Sequence, residues 1–170
     1  MRGMTYKSKA EATMNKKKRQ KIIRENTLRP NLPLHRYSVF IRHLDCGSCN
    51  GCELELHALT NPVYDISQYG IDFTASPRHA YLLAITGIFT RNLIDAVQLT
   101  LDAMPTRQII TIGDCAKGGG DFRNSYAIAK RPEEVEKNIK IHIPGCPPEP
   151  IDILKALCEL ASGNILDVSF

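Results

Sequence analysis

Tyr37-Ser38-Val39-Phe40-Ile41-Arg42-His43-Leu44-Asp45-Cys46-Gly47-Ser48-Cys49-Asn50-Gly51-Cys52-Glu53 runs from an apolar, β-branched stretch directly into a turn of small residues carrying three thiols. The same grammar recurs twice. Gln108 to Ile112 leads into Gly113-Asp114-Cys115-Ala116-Lys117-Gly118-Gly119-Gly120, and Asn138 to Ile143 leads into Pro144-Gly145-Cys146-Pro147-Pro148-Glu149-Pro150. A strand that ends in a flexible turn can aim a thiolate into a crevice. Four such thiolates converging on one point make an iron–sulfur site. These residues point to an electron carrier, not to an enzyme complete in itself.

Working outward, the spacing predicts strands over Tyr37 to Leu44, Ile71 to Ala75, Tyr81 to Thr86, Gln108 to Ile112 and Asn138 to Ile143. Helices are predicted over Glu53 to Leu59, over Arg91 to Met104 with Ile94, Val97, Leu101 and Met104 on one face, and over Pro150 to Ala161. Ile151, Leu154, Leu157, Cys158 and Ala161 would form the inner side of the last of these. Strands alternating with helices predict an α/β fold, a parallel sheet covered on both faces. Ligands of such sheets bind outside the carboxyl ends of the strands. Three cysteine loops and Gly87, which follows a fourth strand, would all open onto that edge.

The charge is uneven. Residues 1 to 36 carry eleven Lys or Arg and two acids, so a net +9 in the arm sits beside a net −5 in the rest of the 170-residue chain. We expect two parts: a basic N-terminal arm over 1–35, partly disordered or docking to a partner, and an iron–sulfur-binding domain over 36–170. The prolines of Arg29-Pro30-Asn31-Leu32-Pro33 mark the linker. No aromatic residue is interleaved with Lys16-Lys17-Lys18-Arg19-Gln20-Lys21, which argues against nucleic acid as a partner. No apolar run is long enough to span a bilayer and no signal peptide is visible, so a cytoplasmic protein is expected. With 43% apolar residues the chain can build a core. Its six cysteines are then better read as metal-binding than as a disulfide framework.

Cys49 and Cys52 have Cys-x-x-Cys spacing, and Asn50-Gly51 supplies the freedom for a tight turn. Cys115 and Cys146 form no second Cys-x-x-Cys unit, which speaks against a structural zinc site. A thioredoxin-like pair would leave those two unexplained. Cys46 is either a ligand in place of Cys49 or a nearby thiol, and Cys158 reads as a small core residue. Glu53 and Glu55 are candidates for a proton relay beside the redox site; alternatively Glu53 serves the helix dipole. Asp45, Arg78, His79 and Asp114 are further polar groups expected near the crevice or a subunit interface. Two function classes fit: an electron-transferring subunit, and an assembly module stabilised by zinc or a cluster.

Between Tyr37 and Leu160 the motifs Asp45 to Glu55, Ser76-Pro77-Arg78-His79-Ala80, Thr86-Gly87 and Ile143 to Pro148 resemble the small-subunit family of [NiFe]-hydrogenases and its relative, the proximal-cluster subunit of respiratory complex I. The likeness is greatest to the energy-converting, formate-hydrogenlyase type. This resemblance implies a flavodoxin-like, doubly wound fold. It also implies one [4Fe-4S] cluster held by Cys49, Cys52, Cys115 and Cys146. The chain would be a non-autonomous subunit of an oxidoreductase complex, partnered by a hydrogenase-type large subunit, a ferredoxin-like iron–sulfur subunit and membrane subunits. It would then sit on the cytoplasmic side, peripheral to the membrane through its complex. The spacing of the first ligand pair favours the hydrogenase branch, because that pair is adjacent in complex I. Gly113 to Gly120 looks at least as much like complex I, and the basic arm has no counterpart in the family.

Overall fold

A computed structural model describes residues 38–161. The arm predicted over 1–35 and the last nine residues of the predicted domain lie outside the described residues. Five strands form one parallel sheet: β1 (Val39–Asp45), β2 (Ile71–Phe73), β3 (Leu82–Thr86), β4 (Ile109–Ile112) and β5 (Ile139–Ile143), in the order β2-β1-β3-β4-β5. That is the flavodoxin order, with its switch point between β1 and β3. The central position of β3 and β4 follows from their sequences. Every residue of Leu82–Thr86 and of Ile109–Ile112 is buried, as a strand covered on both faces requires. The edge strands β2 and β5 instead expose Asp72 and Lys140, charges that discourage further strand pairing.

Successive residues point to opposite faces. On one face, Leu83, Ile85 and Ile109 pack with Val97 and Leu101 of α2 (Ile94–Ala103) and with Val135 of α4 (Glu133–Asn138). Leu82, Ala84, Ile110 and Ile112 point the other way and are fully or almost fully buried. That face is covered by α1 (Gly51–Ala58) and α5 (Pro150–Glu159), which pack on each other. Leu56, Ile153, Leu154 and Leu157 are their buried side chains. Helix α2 stops where Pro105 disfavours helical geometry at the residue before it; Met104 is extended, with ψ 144°. Helix α5 opens with Pro150 in its first turn, where a missing N–H costs nothing. Cys158 is buried in the core, as expected of it. Among the described residues, no helix is long and apolar enough to cross a membrane.

The differences from the predicted elements are local. Helix α1 begins at Gly51, before Cys52, because Asn50 takes the left-handed conformation (φ 70°) and starts the turn earlier. The five-residue α3 (Asp114–Gly118) and the six-residue α4 are too short to show a periodic apolar face, and the spacing did not reveal them. Ile153 is fully buried although the predicted inner face of the last helix omitted it.

A polar pair joins β4 and β5. Thr111 and His142 are register partners on β4 and β5, and Thr111 Oγ1 lies 3.0 Å from His142 Nδ1. The Nε2 atom of His142 is buried with no hydrogen-bond partner. Burial, reinforced by Lys117 and Arg131 against Asp114, holds the imidazole below its ordinary pKa. The unfolded chain therefore takes up the proton first. The stability contributed by neutral His142 is full above about pH 6.5 and is lost as pH falls below that value towards the lowered folded pKa. Thermal unfolding should thus drop between about pH 7.5 and 5.5, and His142→Asn should flatten that dependence relative to the parent. Superimposable pH profiles for the two proteins would refute the assignment.

Candidate metal centre

The first cysteine loop leaves β1 at the switch point. Its shape is fixed by Asp45, whose Oδ1 accepts hydrogen bonds from the N–H groups of Gly47 and Ser48, both at 2.7 Å. The loop is also bound to the end of β3 and the turn beyond it. Cys46 N–H donates to Thr86 O (3.0 Å), Ile88 N–H to Gly47 O (3.2 Å) and Thr90 N–H to Cys46 O (3.1 Å). Gly87 makes that crossing possible: its φ is +75°, and a Cβ there would fall 2.5 Å from Ser48 N.

The second loop follows β4 and folds into α3, which carries Cys115. The third follows β5, carries Cys146 and contains a cis Cys146–Pro147 bond. Both are joined by a reciprocal clamp: Asp114 N–H donates to Gly145 O (2.9 Å) and Gly145 N–H donates to Asp114 Oδ1 (3.0 Å). Gly113 N–H adds a bond to Ile143 O (2.8 Å). Gly113 also closes the gap to the first loop, since a Cβ on it would lie 2.5 Å from Cys52 Sγ. Arg131 supports α3 from below, donating to the carbonyls of Ala116 (2.6 Å) and Lys117 (2.7 Å), with its guanidinium 4.7 Å from the centroid of the Phe89 ring.

Four thiols thereby share one neighbourhood. Cys52 is buried, Cys115 half-buried, and Cys49 and Cys146 exposed, so the four line a bowl with Cys52 at its floor. Burial pushes the Cys52 thiol up to about 12, with Glu53, then Cys115, Cys49 and Cys146 adding to the rise. Burial likewise raises Cys115, helped first by Cys146 and Cys49. Cys52 thus lies in the field of the other three thiols, and Cys115 in that of Cys146 and Cys49. Among the described residues, no three His, Cys, Asp or Glu side chains stand close enough to share one ion. The sulfur-only donor set suits an iron–sulfur group, and the Cβ-free backbone at Gly113 leaves room beside Cys52.

Cys46 is placed apart. It is fully buried in the core cluster with Phe89 and Leu83, and its thiol is raised to about 12 by burial and Asp45, with no other cysteine contributing. Glu53 lies beneath the bowl with its side chain 12% exposed. Thr86 donates its hydroxyl hydrogen to Glu53 Oε1, and Thr86 Oγ1 lies 2.9 Å from His43 Nε2. Because the hydroxyl hydrogen is committed to Glu53, the imidazole N–H is the donor to Thr86. Glu53 Oε2 is buried without a partner. Glu53, His43, Arg42 and His57 line a cavity of about 330 Å³. Glu55 is half-exposed on the same helix and outside that cavity. Arg78 and His79 are exposed in a turn that leads into the amino end of β3, at the edge away from the cysteine loops.

His43, Thr86 and Arg131 are the residues that sequence reasoning missed. A lone threonine closing the otherwise aliphatic Leu82–Thr86 was the available signal for Thr86. Nothing local marks Arg131, whose carbonyl acceptors lie 14 and 15 residues away in sequence.

Residues 49–160 match the protein-family model described as NADH ubiquinone oxidoreductase, 20 Kd subunit. Formate hydrogenlyase subunit 7 of Escherichia coli (strain K12) is 36% identical over 114 residues, covering 66% of this chain and 44% of that protein. The probable membrane-bound hydrogenase subunit mbhJ of Pyrococcus furiosus is 37% identical over 118 residues, covering 69% of this chain and 70% of the relative. The chain thus spans less than half of the first relative. Among solved structures, a chain of the membrane-bound sulfane sulfur reductase, an archaeal respiratory membrane complex, is 27% identical with a TM-score of 0.60, over 75% of this chain and 72% of that one.

Gly87→Ala should lower stability by about 2 kcal/mol or more, because the new Cβ meets backbone atoms that cannot turn aside and the φ is strained. Denaturant unfolding checks this; a parent-like midpoint would mean the two loops do not pack as described.

Proposed function

The chain belongs to the NADH ubiquinone oxidoreductase 20 kDa subunit family, and from that premise we propose that it is the electron-transferring small subunit of a membrane-associated, energy-converting [NiFe]-hydrogenase. Its partners on this reading are a hydrogenase-type large subunit, a ferredoxin-like iron–sulfur subunit and membrane subunits, which keep it on the cytoplasmic side. The observation that carries the reading is the meeting of four thiols from three loops at one sheet edge, with Cys52 in the field of the other three and Cys115 in that of Cys146 and Cys49. Cys49, Cys52, Cys115 and Cys146 are the ligands of one [4Fe-4S] cluster. That group supplies one-electron transfer when bound.

The chain's own residues do the remaining work. Cys52 holds the buried side of the site and Cys49 and Cys146 the open side, facing the large subunit. Asp45 and the Asp114–Gly145 clamp hold the ligand loops in register, and Arg131 fixes the turn that carries Cys115. A complex I-like quinone oxidoreductase subunit is the second reading, favoured by the family's own description and by Gly113 to Gly120.

Metal analysis of the native complex recovered through this chain separates these readings. Nickel with excess iron and sulfide is expected; iron and sulfide without nickel favours the quinone-reducing reading, and neither iron nor sulfide sinks both. In the same preparation Cys115→Ser should lose or convert the reduced-cluster EPR signal, and an unaltered signal would remove Cys115 from the ligand set.

Glu53 is the better placed of the two relay candidates. Its Oε1 accepts from Thr86, its unpartnered Oε2 is free to hold a proton, and the cavity beside it contains His43 and His57. Glu53→Gln should slow proton-coupled turnover of the complex roughly ten- to a hundredfold while Glu55→Gln leaves it unchanged. Equal turnover in both variants and the parent would assign Glu53 to structure alone.

A further inference from the structure

Beside Cys115 the surface carries a second concavity, of about 240 Å³, lined by Lys117, Arg123, Arg131, Phe89 and Glu136 as well as by Cys115 itself. Glu136 Oε2 pairs with Arg131 Nη1 at 2.5 Å. Lys117 and Arg123 are both exposed, and neither has an ion pair among the described residues. In its lining three cations, Lys117, Arg123 and Arg131, face a single carboxylate, Glu136, although residues 37 to 170 together sum to −5. The patch is therefore locally opposite in sign to the domain that bears it. Two exposed aromatic side chains lie on the same segment of chain: Phe122 is 46% exposed and Tyr126 90%. Unpaired cations next to exposed aromatic rings have the composition of a protein interface, where aromatic residues and arginine are enriched.

We infer that the concavity formed by Lys117, Arg123 and Arg131 beside Cys115 is a docking seat for an acidic segment of the large subunit, which places a carboxylate in it and packs against Phe122 and Tyr126. The inference rests on the reading of this chain as one subunit of a complex. Charge complementarity selects that occupant: an apolar segment would bury two unpaired cations, which is costly, whereas a carboxylate neutralises them. The seat adjoins the thiol bowl at Cys115, so a segment held there also shields that thiol from solvent.

The test uses the native complex recovered through this chain. The charge reversal Lys117→Glu with Arg123→Glu should cut recovery of the large subunit about tenfold, because attraction becomes repulsion. The milder pair Lys117→Gln with Arg123→Gln should give a smaller loss and weaken the effect of salt on recovery, as expected when screened charges are removed. Thermal unfolding and the cluster EPR signal of the variant chains should match the parent, since both side chains are exposed and unpaired. Undiminished recovery with an unchanged salt response overturns the inference. So does a loss of recovery accompanied by a loss of thermal stability, which would make the cations structural. Nickel content is an independent readout: a nickel-free partner that still needs Lys117 and Arg123 leaves the seat standing while the hydrogenase reading falls.

Discussion

The molecule depends on a common last rung. Asp45 of β1, Thr86 of β3, Ile112 of β4 and Ile143 of β5 are register partners in turn across the sheet. Parallel pairing sends all four strands in one direction, so the chain leaves each at the same level. Every loop that carries one of the four thiols begins within a few residues of that rung. A one-residue slip of β4 or β5 would turn Ile112 or Ile143 from one face of the sheet to the other and displace the loop that follows. The isoleucines of β4 are buried on both faces of the sheet.

Much of this was legible in the sequence because the signals were strong and short-range. All-buried strands such as Leu82–Thr86 read as continuous apolar runs, and proline and glycine marked where they stopped. The four thiols were legible because cysteine in turns after strands has few structural uses in a chain with its own core. What escaped were features with no local period. The one-turn α3 owes its place to Arg131 and to the Asp114–Gly145 clamp, both of which join segments far apart in sequence. The Glu53–Thr86–His43 chain needs α1 laid across β1 and β3, which only the packed structure supplies.

Cys46 and Cys52 illustrate how environment separates like residues. Both thiols are buried and both are raised to about 12. The Cys46 side chain faces the aliphatic core of the α2 face, and its field comes from Asp45 and Arg131. Cys52 begins a helix on the opposite face and feels three other sulfurs. Alternation of side chains along the strand and its exit sets the first direction, and the left-handed Asn50 sets the second.

The hydrogen bonds that shape the ligand edge run largely between main-chain groups: Cys46 to Thr86, Ile88 to Gly47, Gly113 to Ile143 and Asp114 to Gly145. A substitution alters a side chain but leaves the peptide group in place. Inherited change at this edge is therefore filtered unevenly. Outward-facing positions of the loops can drift in chemistry while the receptacle keeps its form, and lineages can acquire new docking chemistry around an old site. The filter closes at Gly87 and Gly113, where any side chain at all would occupy space already filled by the neighbouring loop.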